Sequence, residues 1–83
     1  MFFRKKYKVK LTGRAGLLYS EGPRKMRINS ELQGSPYLDM IIFGDSIRHW
    51  EPPHQDERLS SSDIIRIRQN VSEALRHLRV WWR

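Results

Sequence analysis

The sequence predicts an α+β fold: a curved, mostly antiparallel sheet of about five to six strands running as a meander, with one C-terminal amphipathic helix packed on it and a short final strand after the helix. Three observations lead there. Apolar residues alternate with lysines near the N-terminus, the period of a strand with one buried face. Glycine and proline recur between short β-forming runs. Past residue 60 the apolar spacing changes to that of a helix. The length of 83 residues implies one small domain, 1–83, which buries only ~60–65% of its unfolded surface.

Tyr7, Val9 and Leu11 alternate with Lys6, Lys8 and Lys10 and form the first strand. Thr12-Gly13-Arg14-Ala15-Gly16 reads as a loop. Leu17–Ser20 and Lys25–Asn29 flank Glu21-Gly22-Pro23-Arg24, a connection suited to a hairpin. Gln33-Gly34-Ser35-Pro36 is another break. Tyr37 to Phe43 is apolar apart from Asp39 and reads as the best-buried strand. Gly44-Asp45 then turns the chain into a strand over Ser46–Trp50, which Pro52 and Pro53 end because proline lacks an N–H and disfavours helix before it. On that strand Ile47 and His49 share one face, and Arg48 and Trp50 the other.

Residues 51–59 form a polar loop. Ile64, Ile67, Val71, Ala74, Leu75 and Leu78 then make one helical stripe. Ser60 and Asp63 stand at capping-box spacing, and Arg76 and His77 in the last turn suit the helix dipole. Arg66, Gln69, Asn70, Ser72 and Glu73 are expected to face water. Arg79–Arg83 reads as the final strand, with Trp81 and Trp82 on opposite sides. Phe2 and Phe3 pose the same alternation at the other end.

Composition removes several classes of function. There is no cysteine, hence no disulfide, thiolate zinc site or cysteine nucleophile. Met1-Phe2-Phe3 is too short an apolar run for a signal peptide, and no stretch approaches the ~20 apolar residues of a membrane span. A soluble, cytoplasmic protein is expected, with no membrane association. His49, Glu51 and His54 lack zincin spacing, and Pro52-Pro53 forbids a helix there, so no metal is expected. Serines 60 to 62 are explained as caps, and no nucleophile elbow or phosphate loop occurs. Neither catalysis nor a cofactor is expected.

The net charge of +7 is unevenly distributed. Residues 1–27 carry nine Lys/Arg against Glu21, residues 28–59 two against six acids, and residues 60–83 five against two. Such a dipole favours steering toward an acidic partner. Lys6, Lys8, Lys10, Lys25 and Arg27 would form a positive surface able to contact nucleic-acid phosphates. The simpler account is the solvated face of a half-buried sheet, with lysines blunting an exposed edge. A homodimer joined through the terminal strand with Trp81 or Trp82 is a further option.

Two segments carry a resemblance. Tyr19-Ser20-Glu21-Gly22-Pro23-Arg24-Lys25-Met26, and Asp45-Ser46-Ile47-x-x-Trp50-Glu51-Pro52-Pro53-His54, are followed by an Ile-rich helix and a short strand. Together they resemble the immunity protein 74 family over about residues 7 to 82. The resemblance implies an α+β protein that neutralises a cognate toxin of bacterial polymorphic toxin systems. If that toxin is a nuclease, the acidic 39–57 stretch would have to face it; a toxin with an acidic cleft is the other case. Within the sharpest segment, Trp50 is the expected hydrophobic anchor for a partner, with Arg48, Glu51 and His54 as flanking polar contacts. A corner of the core is the competing place for Trp50.

Overall fold

The computed structural model describes residues 6–13 and 15–83. Phe2 and Phe3 lie outside the described residues. The alternating run near the start forms β1 (Tyr7–Leu11), which pairs antiparallel with β2 (Ala15–Glu21). Strand β2 turns into β3 (Arg24–Leu32) through Gly22 and Pro23 alone, with Glu21 opposite Arg24. Gly22 takes φ +57° and proline fixes a negative φ, the sign pattern of a tight type II′ hairpin turn. The β2 strand starts earlier than the sequence implies. It absorbs Ala15 and Gly16 through a register shift between Ala15 and Leu17. Gly16 has φ +91° there, and its N–H donates to the buried Ser30 hydroxyl at 3.1 Å. That bond satisfies the one buried polar side chain among the described residues.

Strand β4 is only Met40–Ile42, not Tyr37–Phe43. Asp39 breaks the longer strand, because its carboxylate accepts the Arg79 N–H at 2.7 Å and pairs with the Arg79 guanidinium. The Arg79 guanidinium also donates to the Pro36 carbonyl. The chain bends at this clasp, leaving Tyr37 84% exposed. Strand β4 pairs antiparallel with β3 and parallel with the last strand, β5 (Val80–Trp82), giving the order β1-β2-β3-β4-β5. The parallel pairing requires a long crossover between β4 and β5, and the helix α1 (Ser61–Ala74) lies within it.

No strand forms over Ser46–Trp50. Gly44–Ser46 makes one 3₁₀ turn, and the chain then runs on along β3 without reversing. Phe43 N–H donates to the Asn29 carbonyl at 2.9 Å, and Glu51 N–H to the Lys25 carbonyl at 2.7 Å. Between them the Ser46 hydroxyl accepts the Asn29 N–H. A side chain thus replaces a ladder bond, and strand alternation is lost. Ile47 and Trp50, three residues apart, both point inward at 4% exposure, while Arg48 and His49 are exposed. The expected sharing of faces, Ile47 with His49 and Arg48 with Trp50, is therefore incorrect.

The helix closes one face of the sheet. Ile67 and Val71 are fully buried against Leu17, Tyr19, Met26, Ile28, Met40 and Ile42 from the strands, and Leu75 extends the stripe past the helix. Ser60 and Asp63 form the capping box: the Ser60 hydroxyl accepts Asp63 N–H at 3.1 Å, and the Asp63 carboxylate accepts Ser60 N–H at 2.8 Å. The backbone bond from Ser60 and then the Arg66 guanidinium lower the Asp63 carboxyl to about 2. The folded state thus holds this proton less tightly than the unfolded chain does. The contribution is complete above the unfolded carboxylate range and is lost as pH falls from ~4 through about 2. Ser60→Ala is expected to cost ~1 kcal/mol of stability, and Asp63→Ala should be destabilising at neutral pH by a difference that thermal melts show shrinking below pH ~3. A difference that grows toward acid would refute the assignment. Arg76 and His77 are not in the last turn as expected, since α1 ends at Ala74. The chain turns there, with Leu78 N–H donating to the Leu75 carbonyl at 2.9 Å, to deliver β5 beside β4.

Candidate partner-binding surface

The residues expected to bind a partner surround the N-terminal half of β3. Trp50 lies beneath them, stacked on Tyr19 at 6.2 Å between ring centroids, and Tyr19 stacks on Tyr7 at 6.1 Å. This row of rings runs from β1 to the loop and places Trp50 in the core, so it offers a partner almost no surface. Its effect on the surface is to hold the loop. Arg48 and Glu51 are exposed on either side of it, and His54 is half-buried.

Two clasps stiffen the loop. Arg48 Nε donates to the Asp45 carbonyl at 2.9 Å. His54 Nδ1 meets Glu57 Oε2 at 2.7 Å, and Arg24 Nε donates to Glu57 Oε1 at 2.6 Å. Arg24 and then His54 hold the Glu57 carboxyl below the usual carboxylate range. His54 thus engages a carboxylate rather than standing free for chemistry, and His49 points to solvent.

Lys6, Lys8, Lys10, Lys25 and Arg27 are all exposed. Strand register aligns Lys8, Ser20 and Lys25 in one row and Lys10, Leu18 and Arg27 in the next, on the sheet face opposite α1. Lys6, Lys8, Lys10 and Lys25 line a groove of about 520 Å³ with Leu18 and Ser20 at its base. Arg27 and Arg48 line an adjoining cleft of about 360 Å³ with Asn29 and Asp45. Two residue sets that are separate in the sequence therefore meet along β3.

The same outer face continues over Glu31, Ile41 and Trp81, which are successive register partners. Trp81 is 61% exposed. Trp82 points the other way, donating its ring N–H to the Ser72 hydroxyl at 3.1 Å with the Arg68 guanidinium 4.8 Å over the ring. Alternation predicted that the two tryptophans part; only the sheet order shows which faces out and that Ile41 lies beside it.

Arg66 and Asn70 do not simply face water. Arg66 bonds Glu21 through Nε and Nη2 at 3.0 and 3.1 Å, and Asp63 through Nη1 at 2.7 Å. Glu21 also accepts the Tyr19 hydroxyl, which in turn accepts from Asn70 at 2.8 Å. Burial first, partly offset by Asn70, pushes the Tyr19 hydroxyl above the ordinary phenol range. No local spacing signals this chain, because Tyr19 and Asn70 are far apart in sequence and meet only when the helix docks.

Among the described residues no helix is long and apolar enough to cross a membrane. No curated protein and no solved structure matches the chain. The family model described as immunity protein 74 matches residues 8–80. That span runs from within β1 to the first residue of β5 and takes in β2, β3, β4, the helix and the loop held by Trp50, so the chain belongs to the immunity protein 74 family.

Proposed function

We propose that the protein is a non-catalytic, stoichiometric inhibitor that binds a cognate bacterial toxin in the cytoplasm and neutralises it by protein–protein contact. Membership of an immunity-protein family carries this reading. The loop geometry supports it, since Arg48, Glu51 and His54 stand on a segment fastened to the core by Trp50 and to β3 by Glu51. A preordered loop loses little freedom on binding.

The test takes the protein encoded directly upstream of this gene, which this proposal expects to end in a toxin domain. Co-expression should protect cells from that domain, and the purified pair should form a 1:1 complex. Arg48→Ala, Glu51→Ala and His54→Ala are expected to weaken the complex by up to ~2 kcal/mol each without unfolding the chain. Wild-type protein that neither protects nor binds would overturn the proposal.

A second reading, nucleic-acid binding through Lys6, Lys8, Lys10, Lys25 and Arg27, is favoured by one observation: these cations share an exposed face. Retention of nucleic acid that collapses between ~50 and ~200 mM salt would support it.

A further inference from the structure

The fold separates its charges in a way the sequence does not show. Glu21, Asp39, Glu57, Asp63 and Glu73 all engage basic residues of this same chain. Their partners are Arg24, Arg66, Arg76 and Arg79, with His54 beside Glu57. Two of these acids, Asp39 and Glu57, belong to the acidic stretch that would have faced a nuclease. Among the described residues, none of the ion pairs includes Lys8, Lys10, Lys25 or Arg27. Internal pairing thus takes up two of the five acids of that segment and leaves the cations of the outer sheet face available to a partner. At the far side of that face, Ile41 and the exposed Trp81 add an apolar end.

From this pairing we infer that the toxin docks on the uncovered sheet face, and that its contact surface is rich in carboxylates with an apolar margin. This rests on the toxin-binding reading above and gives the toxin's surface a sign. The cations are spread over two strands, β1 and β3, and steer association, and Trp81 is the residue type that anchors an interface once water is excluded. A protein partner fits better than nucleic acid because Glu31 lies on the same face, between the cations and Ile41. A phosphate backbone tracking the sheet would meet that carboxylate, whereas a protein can set a cation against it.

The experiment measures binding of the purified C-terminal domain of the upstream-encoded protein to wild type, Lys8→Glu/Lys10→Glu, Lys25→Gln/Arg27→Gln, Trp81→Ala and the control Arg76→Glu. Arg76 lies away from this face and its side chain is 78% exposed. Circular dichroism confirms folding, and the Lys→Gln/Arg→Gln pair decides the case if charge reversal unfolds β1. The expected result is a roughly 100-fold loss for the double reversal, at least about tenfold for Trp81→Ala and for neutralisation, and no change for Arg76→Glu. The wild-type association rate should fall steeply with salt. If wild type binds the toxin and the outer-face variants bind equally well, this inference is overturned while the immunity reading stands. If wild type does not bind it at all, both fail. If wild type instead retains a ~20-nucleotide single-stranded RNA at moderate salt and the same variants release it, the face is a phosphate-binding surface and the inference is again overturned.

Discussion

Trp50→Ala is expected to lower folding stability by about 3–5 kcal/mol, measured as a shift in the urea midpoint followed by far-UV circular dichroism. An 83-residue chain has a total stability of roughly 4–12 kcal/mol. The loss is therefore a large share of the total, and at the low end of that range the variant is partly unfolded at 25 °C. The size follows from burial at 4% exposure and from the stacking on Tyr19, itself stacked on Tyr7. Removing the indole leaves a void between the loop and β2 that neither rigid neighbour can fill. Trp50→Phe keeps a ring against Tyr19 and should lose clearly less. Any loss of toxin binding by Trp50→Ala would then follow from release of Arg48, Glu51 and His54, not from a missing contact. An unchanged midpoint would show that Trp50 is not part of the core.

The second large effect separates two isoleucines two positions apart in the helix. Ile67→Ala should cost about 2–5 kcal/mol, whereas Ile65→Ala should stay within about 0.5 kcal/mol. Ile67 is fully buried and Ile65 is 56% exposed. Both are equally apolar, so composition cannot rank them; the helical period can. Equal losses at the two positions would mean that the helix does not dock through the Ile67–Val71 stripe.

Those isoleucines illustrate what was legible. The Ile67–Val71 stripe, the Ser60–Asp63 cap and the Gly22–Pro23 hairpin all depend on residues close together in the chain, so periodicity and turn chemistry were enough to place them. Strand β1 was legible for the same reason. The errors fall where a distant residue overrides a local preference. Asp39 reads as a single polar interruption of a strand until Arg79 arrives to clasp it. The Ser46 hydroxyl takes the place of a backbone partner of Asn29, and the strand predicted over 46–50 becomes an irregular course along β3. Arg66 and Asn70 read as solvated helix residues until Glu21 and Tyr19 lie beneath them.

The candidate surface divides in the same way. Its residue types were visible in the sequence: the lysines and arginine of the first strands, Arg48, Glu51 and His54 in the loop, and a tryptophan pair at the end. By itself the sequence determined the α+β class, the hairpin, the capped helix and the resemblance to one family, because these rest on short-range spacing and on quoted motifs. Only the tertiary structure decided that Trp50 faces the core, that β5 runs parallel beside β4 with Trp81 outward, and that Arg27 meets Arg48. It also decided, among the described residues, which acids are held in internal pairs and which cations are not. Each of those outcomes depends on which strands lie side by side, and that order is set by long-range burial and pairing that no local period encodes.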